Sequence, residues 1–299
     1  MPAKVNEKYE KDINNMSTWT VIKREFLRDK GALIALSIII LSILVVLIFP
    51  LIINHDWAFS MNPRNINQPP SNRHWLGTEI GGRDVLSLLI VGARSSLTIA
   101  FAVTIMSAII GITLGITSGY FGGRFDNIMM RIVDFISTLP TLVMIIAFLA
   151  IVPGFNVIRF SLVMTFFSWT GIMRLVRARA IQEKELEYIQ ASKTLGTSHF
   201  TTIFRELLPN ISSIIIVNLT LAMANNVGLE TGLSFLGFGF PFDQPSLGSL
   251  IARASDPIVM RHRWWIWVPA TVFVLILMLS INTVGRTLNR ATDARQRRG

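Results

Sequence analysis

From residue 190 the chain reads Gln190-Ala191-Ser192-Lys193-Thr194-Leu195-Gly196, and Pro209 follows thirteen residues after the glycine. Residues Glu183 to Leu195 are good helix formers, and Tyr188, Ala191, Ser192 and Leu195 fall at the i, i+3, i+4, i+7 spacing of one helix face. Gly196 then supplies the residue that ends a helix in a left-handed turn. Ser198 can cap a second helix, in which Phe200, Ile203, Phe204, Leu207 and Leu208 make an apolar stripe facing membrane or core. Pro209 is expected to break that helix. The stretch is therefore a polar helix–glycine–helix hairpin. A plain linker needs neither the glycine stop, nor two amphipathic faces, nor the terminal proline.

On either side of the hairpin the chain is apolar. It is 51% hydrophobic and 15% charged, where a soluble protein carries nearer a quarter of charged residues. Six candidate spans emerge, at about 32–53, 95–118, 129–152, 157–175, 210–230 and 265–285. The fourth holds Arg159 and Arg174, which can reach opposite interfaces along their own stems. With six spans both termini share one side. The N-terminal segment, the 119–131 and 174–209 loops and the C-terminal tail hold 20 of the 28 lysines and arginines. That majority marks the cytoplasmic side.

The expected fold is thus an all-α polytopic membrane protein of six transmembrane helices with both termini cytoplasmic. Its divisions are a cytoplasmic segment 1–30, a first span 31–53 and an exterior segment 54–93. A core of five spans over 94–288 includes the cytoplasmic loop 174–209, and a basic tail covers 289–299. The polar N-terminus and the continuation Asn54-His55-Asp56-Trp57 after the first apolar run argue against a cleaved secretion signal.

Within the exterior segment Asp84 can cap a short apolar helix from Val85 to Val91, lying at the interface or under the bundle. The loop 237–265 is rich in glycine and proline and ends in Trp264-Trp265-Ile266-Trp267, an interfacial aromatic set. Ser107, Gly111, Gly115 and Gly119 put a smooth stripe on the second span, where another helix can approach closely.

Several chemistries are missing from the sequence. With zero cysteines there is no disulfide or thiolate site. No phosphate-cradling G-x-x-x-x-G-K-[ST] run occurs, and His55, His74, His199 and His262 have no metal-ligand spacing. The spans are almost free of ionisable groups, so no proton relay is visible. Asp134 stands three residues after Arg131, which predicts a local pair. Asn218, Asn225 and Asn226 share one helical side at i, i+7, i+8, with Glu230 beyond them. These four can line a hydrated path or make interhelical hydrogen bonds. Energy for any transport must enter from outside the chain, and the hairpin is where it can enter. Its first helix offers the cytosol Tyr188, the small residues Ala191 and Ser192, and the flanking acids Glu185 and Glu187.

The hairpin resembles the cytoplasmic motif of ABC importer permeases: E-A-A, three residues, G, nine residues, I-x-L-P. Here Gln190-Ala191-Ser192, Gly196 and Glu206-Leu207-Leu208-Pro209 keep the spacing, with Gln190, Ser192 and Glu206 departing from the pattern. Further blocks resemble the second permease of the oligopeptide/dipeptide (peptide/nickel) subfamily. They are Leu76 to Ser87, Gly92 to Leu97, Gly119 to Gly123, Met130 to Asp134, Glu230 to Gly237 and Pro245 to Gly248.

The resemblance implies a type I importer fold and a non-catalytic subunit. It would pair with a sister permease, two cytosolic ATP-binding subunits and an exterior substrate-binding protein, in contact with membrane lipid and not with nucleic acid. ATP and magnesium would be held by the ATPases and no cofactor by this chain. Glu185, Glu187, Tyr188, Gln190, Ala191, Ser192, Leu195 and Gly196, with Pro209, would form the coupling helix seated on an ATPase. Peptides are the expected cargo. Nickel or metal chelates and glutathione-like molecules are the alternatives within the subfamily. A stand-alone channel or secondary carrier would want charged or broken helices at midplane.

Overall fold

A computed structural model describes residues 18–52, 61–151, 156–241 and 244–296 of the chain. The first seventeen residues of the N-terminal segment, the Asn54-His55-Asp56-Trp57 stretch, the end of the third predicted span at residue 152 and the last three residues of the basic tail lie outside the described residues. Among the described residues every regular element is a helix.

Helix α1 spans Thr18–Arg28 and α2 spans Lys30–Ile52. Asp29 joins them by accepting the Ala32 N–H and binding Arg290. The Ala32 hydrogen bond, followed by the Arg290 guanidinium, holds the Asp29 carboxyl below its ordinary range. The strip that follows is folded on itself, with Asn67 donating to the Glu79 carbonyl and Thr78 to the Gln68 carbonyl. Asp84 caps the next helix as expected, accepting the Ser87 N–H at 2.9 Å and facing His74 Nδ1 at 3.0 Å.

That helix, α3, runs without interruption over Val85–Phe121. The expected short interfacial helix and the second span are one element of 37 residues, about 55 Å long at 1.5 Å per residue. A hydrocarbon core is about 30 Å thick, so α3 is longer than a single crossing requires. The expected helix ends at Val91, and the chain continues helical through Gly92. Gly92 is a buried contact, where an added Cβ would meet the Ser246 backbone at 3.0 Å.

Helix α4 covers Gly123–Thr138 and α5 covers Thr141–Ile151, with an 85° bend between them. Leu139 is extended ahead of Pro140, as the ring of a proline requires of the residue before it. The third predicted span is therefore broken. Helix α6, Val157–Lys184, packs along α3 at the glycine stripe. Cβ atoms added at Gly111, Gly115 and Gly119 would come within 2.9, 2.8 and 2.7 Å of α6, so these glycines set the distance between the two helices.

After α6 come α7, Glu187–Thr194, and α8, which is continuous over His199–Phe235. Pro209 does not break α8. The turns over Thr202–Leu207 are widened, with the Leu208 N–H reaching back to the Ile203 carbonyl. A widened turn absorbs the donor that proline lacks. Two short helices, α9 (Leu247–Ala252) and α10 (Pro257–His262), lead into α11, Trp264–Gln296.

Four helices are long and apolar enough to cross a membrane, namely α2, α3, α8 and α11, and α4 with α5 makes a fifth if the bent pair is one span. Helix α6 has the length, but Arg159, Arg174, Arg177 and Arg179 dilute it. Asp134 pairs with Arg174 at 2.7 Å and not with Arg131. The bend of the chain between α4 and α6 brings a residue forty positions away closer than the neighbour one turn back.

Candidate functional site

The hairpin stands on a buried base. Ile116 and Tyr120 of α3, Ile172, Val176 and Ala180 of α6, and Ile203, Leu207, Ile211 and Ile215 of α8 pack into one cluster with Ile189 of α7. Ile189 is fully buried. It is the one strongly apolar residue inside a polar helix, and the sequence reading passed over it in favour of the face around it. Asp126 at the start of α4 binds Arg177 of α6 and accepts the Ser118 hydroxyl at 2.8 Å, closing the cluster on that side.

Polar contacts then fix the orientation of α7. Helix α6 ends at Lys184, and Leu186 is extended, so the predicted single helix over Glu183 to Leu195 is two helices with a corner. The Gln190 amide donates to the Lys184 carbonyl at 2.8 Å and closes that corner. The Ser192 hydroxyl donates to Glu206 Oε1 at 2.6 Å. The Tyr188 hydroxyl donates to Glu183 and accepts from Asn210 Nδ2 at 2.8 Å. Partial burial, then the Glu183 carboxylate, raise the Tyr188 phenol above its usual range, so it stays a neutral donor. Lys193 Nζ lies 4.7 Å from the Tyr120 ring centre, and the Tyr120 hydroxyl meets His199 Nδ1 at 3.0 Å.

Gly196 turns the chain with φ at 83°, a conformation that costs L residues with a Cβ about 1–2 kcal/mol. Ser198 caps α8 through the Thr201 N–H, as its position predicts. The expected apolar stripe of this second helix divides. Ile203 and Leu207 are buried, whereas Phe200 and Phe204 are exposed, their rings 4.4 Å apart.

What remains on the outer side of the hairpin is a mixed surface. Glu185, Glu187, Tyr188, Gln190, Ala191 and Leu195 are exposed, with Leu195 at 86%. Ser192 is half-buried because it faces Glu206, and Pro209 lies at the hairpin's far end, exposed. No group of residues that could hold a metal is found here among the described residues. The surface is a partly apolar projection rimmed by charge, a composition that suits docking.

The four candidate path residues do not stay together. Asn225 is exposed and Asn218 is half-buried, donating to its own helix at the Ile214 carbonyl. Asn226 is buried and donates to Thr104 Oγ1 of α3 at 2.9 Å. Glu230 is fully buried. Of the four, Asn226 links α8 to α3.

The family described as "Binding-protein-dependent transport system inner membrane component" matches residues 111–298, and the "N-terminal TM domain of oligopeptide transport permease C" matches residues 17–70. The oligopeptide transport system permease protein OppC of Lactococcus lactis subsp. lactis is 44% identical over 284 residues, covering 95% of this chain and 97% of that protein. OppC of Bacillus subtilis is 35% identical, covering 95% and 92%. The dipeptide transport system permease protein DppC of the same organism is also 35% identical, covering 92% and 85%.

Proposed function

The chain belongs to the family of binding-protein-dependent transport system inner membrane components, and on that premise we propose that it is one membrane subunit of an ATP-driven importer of oligopeptides. The observation that carries the reading is the braced hairpin. Helix α7 is exposed outward and anchored inward by Ile189, Ser192 and Tyr188. A partner that grips α7 therefore moves α6 and α8 with it, as a lever does.

The family's transport permeases are membrane subunits, and the energy enters on separate ATPases. In this reading α7 docks on one ATP-binding subunit, with Glu185, Glu187, Tyr188, Gln190, Ala191 and Leu195 at the contact. Gly196 and Pro209 frame the hairpin. A sister permease completes the translocation path, and an exterior binding protein delivers cargo. ATP and magnesium stay on the ATPases. The membrane topology proposed is six spans, counting the bent pair α4–α5 as the third and α6 as the fourth, with both termini in the cytoplasm of a bacterial cell. The excess of lysine and arginine in the segments assigned to that side supports the orientation. Of the path candidates, Asn225 keeps an accessible side chain.

The relatives' names support oligopeptides as cargo, with dipeptides the second reading because a dipeptide permease covers the chain at 35% identity. The test is a pull-down of the tagged chain from gently solubilised membranes, with mass spectrometry of its partners, followed by uptake of labelled peptides of two to ten residues in vesicles. Recovery of a second permease and two ATPases, with ATP-dependent uptake, is expected. The chain alone, or uptake without ATP, overturns the proposal.

A further inference from the structure

Glu230 is a carboxylate with no solvent exposure and, among the described residues, no basic partner. Hydroxyls surround it instead. Ser234 donates to Oε1 at 2.8 Å, Thr231 approaches Oε2 at 3.5 Å, and the Ser96 hydroxyl of α3 lies beside it. Two of these hydroxyls are themselves acceptors from the exterior loop. Ser234 Oγ takes the Phe240 N–H at 3.3 Å, and Ser96 Oγ takes the Leu247 N–H at 3.2 Å. One relay, from the Phe240 N–H through the Ser234 hydroxyl, thus ends on the carboxylate, and Ser96 holds the Leu247 N–H next to it.

Steric fit reinforces the relay. A Cβ added at Gly239 would lie 2.0 Å from Ser234 Oγ, and one at Gly248 would lie 2.3 Å from the Thr231 carbonyl. Both exterior segments are therefore pressed onto the last turns of α8, where only glycine fits. Leaving a buried polar group without its partner is costly, so removing Glu230 strips Ser234 of its acceptor.

The position of this cluster gives it a consequence. Glu230 lies on the same continuous helix as Glu206, which braces α7. The 24 residues between them measure about 36 Å of helix, and a tilt of about 10° at one end displaces the other by about 6 Å. We infer that Glu230 is a positioning residue that locks the exterior segments around Phe240 and Leu247 to α8, so that motion imposed on α7 in the cytoplasm moves the exterior wall of the path. The inference rests on the importer reading above. Glu230 touches neither cargo nor nucleotide in this role. Its carboxylate is a joint.

The experiment uses the complete importer reconstituted in proteoliposomes, measuring labelled-peptide uptake and ATP hydrolysis with and without the binding protein. Failure of the wild-type assembly to take up peptide refutes the importer reading and is recognised before any variant is made. With a working wild type, Glu230→Ala and the milder Ser234→Ala are expected to lower peptide taken up per ATP hydrolysed by about fivefold, one hydrogen bond's worth. Hydrolysis without binding protein should rise, because the exterior wall no longer restrains the lever. Glu230→Gln keeps an acceptor for the hydroxyls, which can rotate to meet an amide, and is expected to stay within about twofold of wild type. Unchanged coupling in both Glu230→Ala and Ser234→Ala overturns the inference. So does a parallel fall in uptake and hydrolysis, the mark of a merely structural role, and so does a Glu230→Gln variant as damaged as Glu230→Ala. If Glu230→Ala does not assemble, Ser234→Ala decides.

Discussion

Ser192 and Glu206 are two of the three residues that depart from the permease motif, and they face each other across the hairpin at 2.6 Å. Each departure accounts for the other: a carboxylate where the motif has isoleucine requires a donor where it has alanine. Glu206 Oε2 is already buried without a partner, so the bond to Oε1 carries the group. Ser192→Ala should therefore destabilise the hairpin by about 1–3 kcal/mol. Combining it with Glu206→Ile should recover most of that loss. A double-mutant cycle on thermal stability is expected to show a coupling of about 1–2 kcal/mol, and strict additivity would mean that the contact contributes nothing. At Gly196 the space around an added Cβ is open, so the constraint is conformational and not steric. Gly196→Asn, which tolerates positive φ, is expected to retain transport. Gly196→Val should cut uptake several-fold while leaving the protein in the membrane. Equal uptake from the two variants would show that the turn is not needed.

At the scale of elements, α7 has an inside and an outside. Ile189 is fully buried while Leu195 is 86% exposed, with Tyr188 and Ala191 also on the accessible side. Single cysteines in a chain that has none give a clean readout. Cysteine at Tyr188, Ala191 or Leu195 is expected to crosslink to an ATP-binding subunit, and cysteine at Ile189 is not. Crosslinking from Ile189 alone would reverse the docking face. Helix α8 answers a different question about elements, since its proline sits inside a continuous rod. A reading by residue type alone makes Pro209 a stop, but the widened turn before it keeps hairpin and span in one rigid piece.

For the whole molecule, orientation across the membrane decides whether hairpin and exterior cluster lie on opposite sides. Trp75 in the exterior strip is 74% exposed, and Leu195 marks the hairpin. An impermeant thiol reagent added to intact cells should label Trp75→Cys and spare Leu195→Cys, with labelling of the latter only after the membrane is opened. Labelling of both from outside would overturn the six-span topology, in which α6 crosses despite its arginines. Asn226, donating to Thr104, joins α8 to α3. Polar side chains between apolar helices act in this way because lipid offers them no other partner.

Much of this protein is legible in the sequence because it depends on local chemistry. The apolar runs announce a helical membrane protein, the Asp84 and Ser198 caps announce their helices, and the Gly111, Gly115, Gly119 stripe announces a close helix contact. The turn of the hairpin and the start of its second helix are likewise legible in Gly196 and Ser198. Other features were settled only by the tertiary structure, and for one reason: spacing tells which side of a helix a residue occupies, but not what covers that side. Asp134 chose Arg174 over Arg131 because two helices meet there. Asn225 and Asn226 share a face by number, yet one is exposed and the other is buried against α3. Position alone leaves Glu230 free to line a path or to bond within the bundle, and the fold buries it against Ser234, which holds the Phe240 N–H. A buried carboxylate and a path carboxylate have the same sequence, and only their neighbours distinguish them.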